Sequence, residues 1–323
     1  MNRARWFGWA ALLGAAVVPL LVGDYLLYLL TLIGAYGVVA LGLNLLTGLS
    51  GQISLGHAGF FAIGAYVATV ATSKYGLPYL AGTALAVACG WLMGLVVGFP
   101  AVRLKGLYLA IATLAFGIGI ERTIYHFKGI TGGAYGLDVP APAIFGYAFN
   151  SPTKLFYLVL AFVVLSVLFL SNVVKSRPGR MLIAMRDSPL AASSMGINVP
   201  RLKVLAFAVS AAMSALGGVL YAPIINFISV EHFTLWLSIT FISMIVVGGL
   251  GSITGSFLGA AFIVLVPELL RGFGAYHQII YGMAMILVFV FWPKGLVGMA
   301  ALFARRSKAA KLEAPATGAL PPT

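Results

Sequence analysis

The stretch LGLNLLTGLSGQISLGHAGFFAIGAYVA, residues 41–68, decides how the rest of this chain is interpreted. It is apolar enough to lie in a lipid bilayer, yet it is rich in glycine and in polar side chains. The polar residues are Asn44, Thr47, Ser50, Gln52, Ser54 and His57. In hydrocarbon, polar groups and broken backbone are costly unless they face protein or a watery cavity. We therefore expect the stretch to line a solute pathway, a catalytic pocket or a tight helix contact.

The composition places the whole chain in a membrane. Of its 323 residues, 61% are hydrophobic and 8% are charged, whereas soluble domains carry about 25% charged residues. The single cysteine, Cys89, allows no intrachain disulfide and no cysteine-based metal site. The net charge of +13 would suggest nucleic acid in a soluble protein. Here it indicates cytoplasmic loops that face anionic membrane lipids, and we expect no nucleic acid as a partner.

Ten apolar runs approach the length of a bilayer-spanning helix, which takes roughly 20 residues. They are Phe7–Gly23, Tyr25–Leu46, Gln52–Thr72, Pro78–Gly98, Leu107–Tyr125, Leu155–Val173, Leu202–Ala222, Trp236–Gly249, Ile253–Leu270 and His277–Trp292. We predict an all-α integral membrane protein, a polytopic helical bundle of about ten spans whose first span is uncleaved. The eighth run is short, and almost no loop joins the second to the third. Eight spans plus re-entrant segments is therefore the alternative.

The distribution of Lys and Arg predicts the orientation. With ten spans and the N-terminus inside, fifteen of the 20 Lys and Arg residues lie on the inner side. The positive-inside rule then places both termini in the cytoplasm. The transmembrane domain covers residues 1–294, with a cytoplasmic loop at 175–201 and an irregular outer loop at 126–153. Residues 295–323 are predicted to form a basic, disordered cytoplasmic tail.

Small residues recur at intervals of four in three places and predict close helix contacts. They are Ser210, Ser214, Gly218 and Ala222; Gly90, Gly94 and Gly98; and Gly251, Gly255 and Gly259. Packing rather than hydrophobicity drives helix association in lipid, and small side chains let the backbones approach. The stripes predict a tightly packed bundle, and they do not identify its function.

The inner loop is predicted to contain two short amphipathic helices. Arg180 to Asp187 fits two helical turns with an apolar face. Ser188 with Pro189 is a good cap and first turn for a second helix, which ends at Gly196. Helices this short are not stable alone. The residues leave two alternatives open: the pair rests on the membrane domain or docks in a partner's groove, or it is a solvated basic loop on the inner leaflet.

Four segments, in order along nearly the whole chain, carry a family resemblance. The inner loop contributes the pattern Arg180, Ala184, Arg186-Asp187, Ala191 and Met195-Gly196-Ile197. The others are GLNLLTGLSGQISLGHAGFFAIGAY (42–66), TGGAYGL with Pro140 (131–140) and VGGLGSITGSFLGAAFIVLVPELLR (247–271). Together they resemble the LivM family, the permease subunits of bacterial ABC importers for branched-chain amino acids.

The resemblance implies a multi-pass subunit of a larger importer in the bacterial inner membrane. Such subunits pair with a LivH-type sister permease, dock two cytoplasmic ATPase subunits and receive solute from a periplasmic solute-binding protein. The inner loop would then insert into a cleft on an ATPase, whose closure would tilt the sixth and seventh spans as one rigid unit. Its candidate coupling residues are Gly179, Arg180, Ala184, Arg186, Asp187, Ala191 and Gly196. Branched-chain amino acids are the expected solutes, and the residues do not separate these from urea, amides or aromatic acids, which relatives handle.

The energy source is expected to lie in another chain. No G-x-x-x-x-G-K-[ST] motif occurs, so we expect no cofactor in this chain, with ATP and Mg²⁺ bound by partner subunits. An ion gradient would serve instead if the protein were a stand-alone secondary transporter, which is the second hypothesis. The carboxylates near the spans, such as Glu121 and Glu268, lie near span ends, whereas proton-coupled carriers place them at midplane.

The polar residues of the stretch 41–68 allow three interpretations. The candidate pathway-lining residues are Asn44, Gln52, Ser54 and His57. Hydrogen bonding between helices uses the same residue types and would explain each of them without a solute. The tetrapeptide Gly48-Leu49-Ser50-Gly51 followed by His57 also permits an enzyme, an intramembrane serine protease of the rhomboid type with Ser50 as nucleophile. The family resemblance favours a non-catalytic membrane subunit.

Overall fold

Helices account for most of the chain that this computed structural model describes, namely Pro19, residues 22–291 and residues 295–298. In chain order they are α1 (Asp24–Asn44), α2 (His57–Ser73), α3 (Tyr79–Ala101), α4 (Leu107–His126), α5 (Lys128–Thr131), α6 (Pro152–Lys175), α7 (Arg177–Asp187), α8 (Pro189–Ser194), α9 (Val199–Ile225), α10 (Leu235–Gly248), α11 (Ile253–Leu269) and α12 (His277–Phe291). A π-helical turn, Leu45–Leu49, extends α1. Short 3₁₀ segments lie at Gly133–Tyr135, Val230–Phe233 and Arg271–Tyr276.

Each predicted span from the second to the tenth coincides with one of these helices. Within the described part of the chain, five helices are long and apolar enough to cross a membrane: α1 with its π turn, α3, α4, α6 and α9. Helices α10, α11 and α12 are apolar but shorter. The predicted span at 7–23 and the predicted tail at 295–323 fall outside the described residues apart from a few positions, of which 295–298 are helical. The count of ten spans and the cytoplasmic termini stay predictions.

Helix α9 occupies the centre of the bundle and packs against α1, α2 and α3. The predicted stripe of Gly90, Gly94 and Gly98 lies on the face of α3 that meets α9. Contact with α2 is closer still, because a Cβ added at Gly64 would overlap the Ala215 carbonyl of α9. Because glycine has no side chain, the helix backbones come into direct contact at these positions, as small residues allow in lipid.

The third stripe differs from the prediction at one position. Gly255 and Gly259 pack against the backbone of α10, as expected. Gly251, however, precedes α11 and has a φ of 78°. Glycine adopts this left-handed conformation without steric cost, so Gly251 forms part of the turn between α10 and α11, where its backbone lies against Gly48 in the π turn.

The described residues include four two-residue strands that an all-α prediction lacks, three in the outer loop and one after α9. Strand β1 (Leu137–Asp138) pairs antiparallel with β4 (Phe227–Ile228), which follows α9, and Leu137 faces Ile228 in the register. Strands β2 (Ala143–Ile144) and β3 (Tyr147–Ala148) form a small hairpin. Glycine and proline prevent a helix here, and short strand pairs satisfy backbone groups that would otherwise be exposed. The pairing also fastens the loop to the end of α9.

Candidate functional site

The helical structure is interrupted within the stretch 41–68, between α1 and α2, where neighbouring helices continue. Helix α1 passes into the π turn, and residues 50–56 are irregular until α2 begins at His57. The predicted span starting at Gln52 therefore begins five residues later as a helix. Gly51, with a φ of 73°, turns the chain out of the helix. Irregular backbone at membrane depth is tolerated only where it is buried in protein or lines a water-filled cavity, and π turns are frequent at functional sites.

Side chains from neighbouring helices satisfy part of this irregular backbone. Thr113 of α4 accepts a hydrogen bond from the Leu55 N–H at 2.9 Å, and Ser238 of α10 accepts one from the Ala58 N–H at 3.0 Å. The Thr47 hydroxyl donates to the Gln52 carbonyl at 3.1 Å. Sequence reasoning missed Thr113 and Ser238, since nothing in their local sequence shows that they meet a segment 58 or 180 residues away.

Asn44 fastens the end of α1 to the turn before α11. Its Oδ1 accepts from the Gly251 N–H at 2.6 Å, and its Nδ2 donates to the Ser252 carbonyl at 2.9 Å and to Ser256 Oγ at 3.0 Å. The side chain is 3% exposed. Both the oxygen and the nitrogen of this candidate pathway residue's side-chain amide are therefore hydrogen-bonded within the protein.

Gln52 and Ser50 form a small buried cluster below the π turn. Gln52 Nε2 donates to Ser50 Oγ at 2.8 Å, and Ser50 Oγ donates to the Leu46 carbonyl at 2.6 Å. Gln52 Oε1 is buried and has no hydrogen-bond partner within the described ranges. The hydroxyl that the protease hypothesis would use as a nucleophile is thus hydrogen-bonded to a backbone carbonyl.

His57 links the irregular segment to the central helix. Its Nδ1 lies 2.9 Å from Ser54 Oγ, and its Nε2 lies 2.7 Å from Ser210 Oγ of α9. Both Ser54 and His57 are fully buried. One ring nitrogen of a neutral imidazole donates and the other accepts, so both nitrogens are satisfied. The Ser50–His57 pair of the protease hypothesis is replaced by contacts to two other serines.

The two short helices predicted in the inner loop are present as α7 and α8. Ser176 caps α7, its hydroxyl accepting from the Gly179 N–H at 3.4 Å. Ser188 caps α8 in the same way, accepting from the Ala191 N–H at 3.3 Å. Gly196 follows α8 with a φ of 80°, the conformation that commonly ends a helix. The cap residues in the sequence therefore set both boundaries.

The helix pair has one anchored side and one open side. Leu182 and Met185 of α7 are buried in an apolar cluster with side chains of α1 and α9. In contrast, Leu190 in α8 is 80% exposed and Met195 directly after it is 82% exposed. Two large apolar side chains exposed on one short loop element, which α7 anchors, are candidates for contact with another protein.

Arg186 connects this loop to the stretch 41–68. Its Nη1 donates to the Gly48 carbonyl in the π turn at 2.7 Å. Its Nε and Nη2 bond Asp187 Oδ1 at 3.2 and 3.0 Å. Gly51 leaves room for the aliphatic part of Arg186, whose Cγ would lie 2.9 Å from an added Cβ. The structure thus brings together two sequence segments that are 138 residues apart.

The other candidate coupling residues are distributed over the same two helices. Gly179 is buried, Ala184 is half-buried, and the Arg180 guanidinium donates to the Lys175 carbonyl at 2.9 Å. Exposed positions are Arg180, Asp187, Ala191 and Gly196. In the described part of the chain, no three His, Cys, Asp or Glu residues cluster as a metal site requires.

Comparison with known proteins identifies the family. The sequence profile of the branched-chain amino acid transport system permease component matches residues 25–289. The high-affinity branched-chain amino acid transport system permease protein LivM of Salmonella typhimurium is 33% identical over 92% of this chain and 76% of its own length. The Escherichia coli protein of that name gives the same values. The permease protein LivH of Escherichia coli is 26% identical over 83% of this chain and 92% of its own length.

No solved structure matches the chain. The family profile spans both parts of the site, the stretch 41–68 and the helix pair α7–α8. The several apolar helices agree with a multi-pass membrane protein. The chain therefore belongs to the family of branched-chain amino acid transport permease components.

Proposed function

We propose that this chain is one of two permease subunits of an ATP-binding-cassette importer in the bacterial inner membrane. With a sister permease of the LivH type it forms the pathway for branched-chain or related amino acids, which a periplasmic binding protein delivers. Two cytoplasmic ATPases bind ATP and Mg²⁺ and dock on α7 and α8. The names of the relatives, LivM and LivH, support an amino-acid transport permease.

The observation that carries the proposal is the two-sided helix pair. Its buried side, Leu182 and Met185, fixes α7 to the membrane helices. Its open side presents Leu190 and Met195. An exposed apolar pair of this kind supports a protein contact, and the rigid anchor would pass a movement of that partner to α1 and α9. Arg186 adds a direct hydrogen bond to the π turn.

The described residues give little support to the alternative of an ion-coupled secondary transporter. Such carriers keep carboxylates inside the membrane domain. Within the described ranges the buried polar residues are Asn, Gln, Ser, Thr and His, and no Asp or Glu is among them. A coupling ion would therefore have to be bound by neutral groups.

Co-purification followed by reconstitution tests the proposal. The affinity-tagged chain is purified from its native membrane in mild detergent, and the associated proteins are identified. We expect a second permease and two ATPases. The complex is then placed in liposomes with the binding protein, and ATP-dependent uptake of leucine, isoleucine and valine is compared with uptake of urea. Uptake by this chain alone, driven by an ion gradient without ATP, would contradict the proposal.

A further inference from the structure

The side chains of residues 51–54 alternate between buried and exposed. Gln52 and Ser54 are 4% and 0% exposed, whereas Gly51 is exposed and the Ile53 side chain is 46% exposed. Gly51, with a φ of 73°, belongs to the turn, and the alternation over residues 52–54 matches the two-residue period of an extended chain, in which successive side chains point to opposite sides. The polar side chains of this segment therefore turn into the protein, and its outward edge carries a glycine and an aliphatic side chain.

The backbone of this outward edge is open. Among the described residues, the N–H and C=O groups of Ile53 have no hydrogen-bond partner. Directly after this segment, the N–H groups of Leu55 and Ala58 donate to Thr113 of α4 and Ser238 of α10. Unsatisfied peptide groups do not face lipid, because hydrocarbon offers them no partner. The edge must therefore meet water or another polar surface.

We infer that the outward edge of residues 51–54 lines the water-filled solute pathway and that Ile53 touches the passing solute. This inference rests on the proposed function and names a residue of its pathway. An open N–H and C=O beside an aliphatic side chain match a solute that combines polar groups with an aliphatic chain. The four polar residues that the sequence offered as pathway-lining instead point into the protein, where their hydrogen bonds stabilise this segment.

The contact with Arg186 connects the outward edge to α7, so a movement of α7 would reach the edge. The Arg186 side chain packs at Gly51 and bonds the Gly48 carbonyl, so it touches the chain on the N-terminal side of Ile53. His57, four residues after Ile53, fixes the C-terminal side to α9 because its ring bonds Ser54 and Ser210. A shift of α7 relative to α9 would therefore change the position of the edge between these two fixed points.

Cysteine accessibility tests the inference, and the chain is suited to it because Cys89 is its only cysteine. In a Cys89→Ser background, single variants Ile53→Cys, Ser54→Cys and Leu92→Cys are prepared in the full reconstituted importer in nanodiscs. Ser54 is the buried control, and Leu92, 59% exposed on α3, is the control for a lipid-facing side chain. We expect a charged methanethiosulfonate to modify Ile53→Cys at least tenfold faster than either control. Saturating leucine should slow the reaction.

Two outcomes would overturn the inference. If Ile53→Cys reacts only with a lipid-soluble maleimide, as Leu92→Cys is expected to do, the edge faces lipid. If it reacts in the isolated chain but with neither reagent in the importer, the sister permease covers it. ATP-dependent uptake by the Cys89→Ser importer is measured first, so that a failure of the proposed function is distinguished from a failure at Ile53.

A second variant avoids dependence on labelling. Ile53→Trp adds bulk to an exposed side chain, and we expect it to lower leucine uptake at least fivefold. Leu92→Trp makes the same kind of change on α3 and should leave uptake unchanged. Normal uptake by Ile53→Trp would contradict the inference.

Discussion

Removing the Arg186 guanidinium tests whether the helix pair α7–α8 acts on the C-terminal end of α1, as the proposed coupling requires. The hydrogen bond from Nη1 to the Gly48 carbonyl, 2.7 Å long, joins α7 to the π turn directly. In Arg186→Ala, α7 keeps its buried anchor through Leu182 and Met185. The helix pair should therefore stay folded in the variant. Only its hydrogen bond to the stretch 41–68 should be lost.

The size of the effect follows from the exposure of this contact. Hydrogen bonds from charged groups contribute about 1.5–3 kcal/mol, and solvent screening at a side chain that is 42% exposed reduces this to about 1 kcal/mol. If the bond transmits movement, this is the coupling free energy that is lost. A loss of about 1 kcal/mol corresponds to a factor of about 5. Solute stimulation of ATP hydrolysis should fall by that factor, with basal hydrolysis unchanged.

The assay measures basal and solute-stimulated ATP hydrolysis by the importer in liposomes. Arg177→Ala is the matched control, because it removes the same charge from the same helix outside the candidate residues. Arg186→Glu should lower stimulation further without lowering expression, since a carboxylate would face the Gly48 carbonyl. Equal stimulation in Arg186→Ala and the unmodified importer would refute the reasoning, as would an equal loss in Arg177→Ala.

Three further changes test the site and its support. Asn44→Ala removes four hydrogen bonds to the turn before α11 and to the first turn of α11, each contributing about 0.6 kcal/mol in a membrane; thermal unfolding in detergent should show a loss of about 2 kcal/mol, whereas Asn172→Ala on the exposed face of α6 should not. Gly64→Ala places a Cβ against the Ala215 carbonyl and should cost about 1–3 kcal/mol, while Gly119→Ala, with open space, should be neutral in the same unfolding measurement. Leu190→Ser removes an 80% exposed apolar side chain and should weaken ATPase recovery in a pull-down about tenfold with normal yield of the chain; retention equal to that of Ile130→Ser would contradict the docking role.

Local patterns in the sequence account for most of the helical framework. The apolar runs predicted each described long helix, because a chain in hydrocarbon must satisfy its own backbone and a helix does so within one segment. Ser188, Pro189 and Gly196 predicted the second inner helix, since caps act on backbone groups three or four residues away. The family motifs are also legible without a structure, which is why the family resemblance is confirmed.

The partners of the buried polar residues could not be predicted in this way. Asn44 bonds a turn more than 200 residues away, and His57 bonds a serine 153 residues away. A polar residue in an apolar run looks the same whether it meets a solute or a neighbouring helix, so the sequence left both possibilities for the stretch 41–68. The position of Gly251 in a turn likewise depends on its bond to Asn44.

Hydrophobicity and short-range hydrogen bonding are legible in the sequence, which therefore predicts a helical membrane permease of a known family and the positions of its helices and loop caps. The side of the stretch 41–68 that is turned outward depends instead on how the helices pack. That choice depends on contacts from α4, α9, α10 and the inner loop, which bury Gln52, Ser54 and His57 and leave Ile53 exposed. The physical reason is that an extended segment can face either way until distant side chains satisfy one of its two sides.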